Sequence, residues 1–342
     1  MNASGLGTMA VIGNGVIGHG IAEVFAKAGW DVCLIGRSQD SLKGALQQIG
    51  ASLNEFVQAE LLSTSSAKSA AARIRTSTEL QAAAAAEFVI EAVPEDMELK
   101  LDIFSKLDGI CRSDALLATS SGHPASCVDK CVEHRERVIA AHFWYPPQLL
   151  PLVEVCGSGA TTKAVVVRTC AILGGIGMKP VVIDCEVPGF IGNRIQFAAL
   201  REAWALWAAG VASAEAIDSV IRYSIGRRLA VTGPIESADL GGLDTMYHFA
   251  RFLLPSLDTS SEPPEQVAAL VRGRHCGVPS GKGVYDWFER DGSGLLSARR
   301  RELMRWLQMD QKGRDPDKAP TPVPQISASG TKPRGSDEDR LD

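Results

Sequence analysis

The chain has 342 residues, of which 45% are hydrophobic and 22% charged, and its formal net charge is -5. That length suits about two domains of roughly 150 residues each, and the mild acidity gives no electrostatic reason to bind nucleic acid. No apolar run approaches the roughly 20 residues needed to cross a bilayer, and no basic-then-apolar leader marks a secretory signal, so a cytoplasmic location is expected. The eight cysteines are scattered through apolar segments, as reduced and mostly buried thiols are. Cys127 and Cys131 are four apart, but with no second pair at ligand spacing no metal site is expected there.

After a short leader, residues 9–12 (MAVI) form a compact apolar run. Gly13, Asn14, Gly15, Val16, Ile17, Gly18, His19 and Gly20 follow, then a helical pattern over 21–28 and a second apolar run over 32–35. Strand, glycine turn, helix and strand within about 30 residues is the setting that makes GxGxxG a dinucleotide-binding turn. Gly13 permits the tight turn, Gly15 lets the backbone approach a pyrophosphate, and Gly18 lets the helix pack on its strand. The N–H groups of Val16 and Ile17 would face that pyrophosphate at the helix start. An acidic residue at the end of the second strand usually takes the adenosine ribose of NAD. Gly36 stands there, followed by Arg37 and Ser38. A guanidinium beside a hydroxyl suits a 2′-phosphate and favours NADP(H) over NAD(H); the other reading has Arg37 stacking on adenine.

Residues 38–62 carry Leu42, Ala45, Leu46, Ile49, Leu53 and Phe56 at helical spacing. A Ser/Ala-rich turn is expected over 63–72, a short strand over 73–76, and a plain helix over the alanines 82–86. The run 88–93 reads as a strand that breaks at Pro94 into Glu95 and Asp96, with a helix carrying Lys100 after it. Ligands of a doubly wound sheet sit at such strand ends, so Val93, Pro94, Glu95 and Lys100 are candidate neighbours of the nicotinamide half of the cofactor.

Residues 118–155 carry the chemistry. His142 follows an apolar run (138–141), Glu154 lies twelve positions later at the end of another, and Ser120 and Ser121 stand upstream. A carboxylate on one imidazole nitrogen fixes the tautomer and stabilises the imidazolium, as a reversible acid–base requires. A helix over 165–173 and a last strand over 180–184 precede Pro188-Gly189-Phe190. From there the alternation stops: a long helix over 191–209 carries Asn193 in its first turn, and further helices are expected over 213–224, 246–257 and 264–273, with a loop over 226–244. The shift puts a domain boundary near residue 186. The fold class expected is α/β, a Rossmann-type doubly wound sheet (1–186) followed by an all-helical domain (187–310) and a disordered tail (311–342). An apolar helical domain beside a nucleotide fold suggests a homodimer.

Several segments in order, AVIGNGVIGHGIA, FVIEAVPEDMELK, ATSSG, HFWYPPQLLPLVEV, PGFIGNRI, GPIESADLGGLD and GKGVYDW, resemble the 3-hydroxyacyl-CoA dehydrogenase family, including its lambda-crystallin, gulonate and carnitine branches, over about residues 8 to 290. The resemblance implies that His142 is the acid–base, Glu154 its partner, and Ser121 and Asn193 the groups that bind the substrate oxygen. It implies hydride transfer between a nicotinamide cofactor and a small-molecule 3-hydroxy/3-oxo acyl substrate. Three departures bear on that substrate. Tyr145 stands where the family often has asparagine, Gly36 replaces the acidic ribose ligand, and the stretch around Glu55, Glu60, Lys68 and Arg73 is poor in basic residues for a CoA nucleotide. A free polar 3-hydroxy acid, or a cofactor-binding protein without turnover, are the alternatives.

Overall fold

The computed structural model describes residues 6–312, and the chain divides into two compact units, Met1–Phe190 with Glu302–Asp342, and Ile191–Arg301. The first five residues and all but two of the expected tail lie outside the described part.

The first unit is built on one sheet of eight strands: β1 (Thr8–Ile12), β2 (Asp31–Ile35), β3 (Ile74–Ser77), β4 (Phe88–Glu91), β5 (Leu116–Thr119), β6 (Val138–Phe143), β7 (Leu152–Gly157) and β8 (Lys179–Val182). Their spatial order is β3-β2-β1-β4-β5-β6-β7-β8, parallel throughout except where β7 runs against β6. Helices α1 (Val16–Lys27), α2 (Gln39–Gln58), α3 (Thr64–Ala72), α4 (Met97–Ile110), the short α5 (Ser126–Asp129) and α6 (Lys163–Gly175) provide the crossovers. Strands buried on both faces read as unbroken apolar runs, and β4 and β5 are buried at every position. One core layer gathers Phe25, Leu34, Phe88 and Val155 under α1, α2, α3 and α6; the other gathers Val89, Phe104 and Leu117 under α4.

Local chemistry sets the helix starts. Ser38, Ser63, Asp96 and Thr162 each accept a backbone N–H from the first turn of α2, α3, α4 and α6, which satisfies donors that would otherwise be orphaned. The Ser63 cap explains why residues 63–72 form a helix rather than the expected turn, since Ala67 and Ala70 on one face are buried against the core. The alanines 82–86 fall short of the expected helix: a 3₁₀ turn covers Leu80–Ala83. The turn packs against β1, β2 and α4 instead, with Ala83 and Ala86 in the core, and that packing outweighs alanine's helix propensity.

The second unit is helical: α7 (Phe190–Ala208), α8 (Ala214–Tyr223), α9 (Ile225–Leu229), α10 (Pro234–Leu240), α11 (Leu243–Leu253) and α12 (Glu265–Arg272), followed by α13 (Gly292–Lys312). Two short helices thus occupy most of the expected loop over 226–244, one opened by Pro234, which is pre-set for a first helical turn, with the Glu236 carboxylate accepting from Gly233 N–H. The second half of α13 belongs to the first unit, where Met304 packs with Phe56 and Leu149. A composition shift alone assigns that half to the second domain.

Candidate active site

The antiparallel pairing of β6 with β7 sets Glu154 directly opposite His142. Facing residues of such a pair project their side chains to the same side. His142 Nδ1 donates to Glu154 Oε2 at 2.9 Å, and both residues are buried. That bond leaves Nε2 as the nitrogen able to exchange a proton. The Phe190 ring lies 5.5 Å from the imidazole, centroid to centroid, and Trp144 meets it edge-on at 6.1 Å. Phe190 is fully buried with a φ of +50°, an uncommon left-handed conformation for a bulky residue. Packing against Ala125, Ala140, Cys156 and Ile183 holds it there.

A second cluster stands at the ends of β4 and β5. Ser121 is buried, and its hydroxyl donates to Glu95 Oε2 at 2.7 Å while lying 3.0 Å from His123 Nδ1. Burial pushes the Glu95 carboxyl up, but the Ser121 hydroxyl, the Lys100 ammonium and His123 outweigh it and hold the group below its ordinary range. Lys100 is itself buried, with Nζ 2.8 Å from Glu91 Oε1, 3.3 Å from the Val93 carbonyl and 3.5 Å from Glu95 Oε2. Glu91 also accepts from Val93 N–H and the Thr119 hydroxyl, each at 2.8 Å. Lys100 therefore braces the turn through Val93, Pro94 and Glu95 from beneath. The two clusters are joined where Phe143 N–H donates to Ser120 Oγ at 3.4 Å.

The glycine turn lies beside this edge. Gly13 has a φ of +104°, and a Cβ there would come within 2.5 Å of the Ala92 carbonyl oxygen. A Cβ on Gly18 would collide with the Gly13 carbonyl, whereas one on Gly15, the N-cap of α1, would meet nothing within 4 Å. Crowding at Gly13 and Gly18 with open space at Gly15 fits a backbone shaped to receive a dinucleotide pyrophosphate over the start of α1, where Val16 and Ile17 stand. Gly36 has a local cause too. A Cβ there would lie 2.7 Å from Asn14 Oδ1, so the Asn14 side chain occupies the place an acidic side chain would need. Arg37 is exposed, and the Ser38 hydroxyl caps α2 by accepting from Ser41 N–H.

The structure thus gathers every expected site residue of the first unit at the carboxyl ends of β1, β2, β4, β5 and β6, the end where open α/β sheets bind ligands. Asn193 stands in the first turn of α7, in the second unit. From the sequence, His123 and Trp144 read as polar and aromatic groups near the presumed site that could be fitted to an unusual substrate, whereas Phe190 has no role there, because an aromatic residue at a helix start looks like core. What the sequence does not give is the partner of the Trp144 indole N–H, which is Glu154.

Residues 8–187 match the family model described as 3-hydroxyacyl-CoA dehydrogenase, NAD binding domain, and residues 189–287 match the C-terminal domain of the same enzyme. The solved structure of a 5-formyl-3-hydroxy-2-methylpyridine 4-carboxylic acid 5-dehydrogenase, described as an NAD+ dependent dismutase, superposes with a TM-score of 0.81 at 27% identity, covering 90% of this chain and 99% of that one. The 3-hydroxybutyryl-CoA dehydrogenase of Clostridioides difficile is 31% identical over 82% of this chain and 99% of its own length. The L-carnitine dehydrogenase of Oceanobacillus iheyensis is 34% identical over 75% of this chain and 84% of its own length. With both family domains matched in order and a histidine–glutamate pair on the sheet edge, the chain belongs to the 3-hydroxyacyl-CoA dehydrogenase family.

Proposed function

We propose that this protein is a nicotinamide-dependent oxidoreductase acting on a 3-hydroxy/3-oxo acyl substrate, with a 3-hydroxyacyl-CoA thioester as the first choice. The observation that carries the reading is the 2.9 Å bond between His142 and Glu154 on the same sheet edge as the glycine turn. When bound, the nicotinamide accepts or supplies the hydride. His142 removes the hydroxyl proton in oxidation and returns it in reduction. Glu154 keeps Nδ1 protonated and offsets the imidazolium charge as it forms. Ser121, and Asn193 from the second unit, are the proposed donors to the substrate oxygen, worth most where charge develops on it. Because the Ser121 hydrogen points to Glu95, it must change partner to make that bond. Replacing His142 with Gln should lower turnover by several orders of magnitude with cofactor affinity nearly intact; persistent turnover would refute the assignment.

A specific observation favours a second reading, a free polar 3-oxo acid as substrate. Among the few basic residues near α2 and α3, Arg73 is already paired with Asp31 at 2.8 Å, which leaves little charge for a CoA nucleotide. Comparing acetoacetyl-CoA with free 3-oxo acids separates the two, and cofactor binding without turnover on either would point to a non-catalytic protein. Running each with NADH and NADPH tests the proposal that Arg37 favours NADP(H). Against that proposal stand the family's NAD binding domain and the NAD+ dependence of the relative with a solved structure. Arg37 makes no described ion pair, so its guanidinium could meet a 2′-phosphate.

A homodimer is also proposed. The second unit leaves Tyr223, Leu240, Tyr247, Phe249 and Phe252 exposed on its helices, large apolar side chains that a second copy could cover. Free cysteines, and no described helix long and apolar enough to cross a membrane, are compatible with the proposed cytoplasmic location.

A further inference from the structure

Glu154 Oε2 serves two donors. His142 Nδ1 reaches it at 2.9 Å, and the indole Nε1 of Trp144 donates to the same oxygen at 3.1 Å. Trp144 directly follows β6 and is half-buried, so its N–H needs a partner. Two donors on one oxygen hold the carboxylate against rotation, since turning it toward any other group breaks both bonds. The indole also draws charge from the atom that binds the imidazole proton. Resting on the reading of His142 and Glu154 as the acid–base pair, we infer that Trp144 is a positioning residue for it, holding Glu154 in line and moderating the carboxylate's pull on the Nδ1 proton.

The neighbourhood of the ring makes this testable. Among the described residues, the hydrogen-bond and aromatic-ring partners of the His142 ring are Glu154 from β7, Trp144 after β6 and Phe190 at the start of α7. Glu154 is the charged one. The Cys156 thiol, two residues along β7 from Glu154, packs with Phe190 and Ala140, and Glu95, His123 and Lys100 belong to the Ser121 cluster at the ends of β4 and β5. Trp144→Phe keeps most of the aromatic body and removes only the donor. A carboxylate relieved of the indole binds an imidazolium more tightly, so the charged ring gains.

The measurement is an NMR pH titration of the protein with its six histidines labelled at Cε1, the His142 signal being assigned by its loss in His142→Gln. In Trp144→Phe the midpoint of that signal is expected to rise by about half a pH unit, roughly threefold in proton affinity. In a Glu154→Gln background the same substitution is expected to do nothing, because the effect runs through the carboxylate. A merely structural role for Trp144 would not discriminate between the two backgrounds. An unmoved or lowered midpoint, or an equal rise in both backgrounds, overturns the inference. If Trp144→Phe does not fold, replacing the tryptophans with 5-fluorotryptophan strengthens the same donor. The midpoint should then fall by a few tenths of a unit, and no movement overturns the inference. The titration needs no substrate, so its failure is distinct from survival of turnover in His142→Gln, which would instead remove the acid–base assignment.

Discussion

Removal of the Lys100 ammonium tests how this sheet edge is held together. Lys100 and Glu91 are 1% and 0% exposed and lie 2.8 Å apart. Both charges left water on folding, and each offsets the other's desolvation. Lys100→Met keeps the length of the side chain and leaves the Glu91 carboxylate with only the Val93 N–H and the Thr119 hydroxyl. Breaking one side of a buried pair costs about 3–5 kcal/mol. Because two hydrogen bonds to the carboxylate survive, the lower end, about 3 kcal/mol, is the expected loss. At about 2–4 °C per kcal/mol for a domain of this size, the melting temperature should fall by about 6–12 °C. Adding Glu91→Gln removes the stranded charge, and the amide can still accept from Val93 and donate to Thr119. The double variant should therefore recover to within about 1 kcal/mol of the parent. Urea and thermal unfolding followed by tryptophan fluorescence measure both. A single variant melting within about 2 °C of the parent, or a double variant no better than the single, would refute the idea of a desolvated, mutually dependent pair.

Other consequences follow from the same geometry. Gly15→Ala should leave the melting temperature unchanged but weaken NADH binding at least tenfold by fluorescence titration. Gly18→Ala should lose both, with about 1–3 kcal/mol of stability gone because its Cβ meets the backbone of Gly13. Burial pushes the Asp108 carboxyl up, but Arg137 and the N–H of Glu133 outweigh it and hold it below its ordinary range. A depressed carboxyl contributes stability above its unfolded value, about 3.9, and loses it as pH falls through its folded one. Urea unfolding at pH 7, 5 and 3 should thus show Asp108→Asn destabilised at the first two, with the gap from the parent closing at the third. Burial pushes the Cys111 and Cys170 thiols up to about 11 and Cys156 to about 12, whereas Cys185 and Cys276 are exposed. A thiol reagent at pH 8 should modify Cys185 and Cys276 first, as peptide mapping would show, because the thiolate is the reactive form.

The glycine turn was legible from the chain because its cause is local: a strand, a φ that only glycine adopts readily at residue 13, and a helix start within a few residues. Helix caps are equally local, yet residues 63–72 look like a turn from composition, since the burial of Ala67 and Ala70 that sustains their helix depends on residues far away. The alanines after residue 80 depart from the expected helix in the opposite sense, because what they pack against is β1, β2 and α4. Trp144 and Lys100 show the limit for the site. An indole in an apolar run and a lysine on a helix carry no sign of their partners, Glu154 and Glu91, until the strands are paired.

By itself the sequence determined the kinds of chemistry available: a turn able to approach a pyrophosphate, an imidazole, a carboxylate twelve residues on, and a change from alternating strands to helices after about residue 186. Tertiary structure decided which groups meet. Spacing along a chain cannot say whether two strands run together or opposed, and only the antiparallel register of β6 with β7 turns that separation into a 2.9 Å hydrogen bond. Burial then made the bond matter, by taking an imidazole and a carboxylate out of water and leaving each dependent on its neighbours.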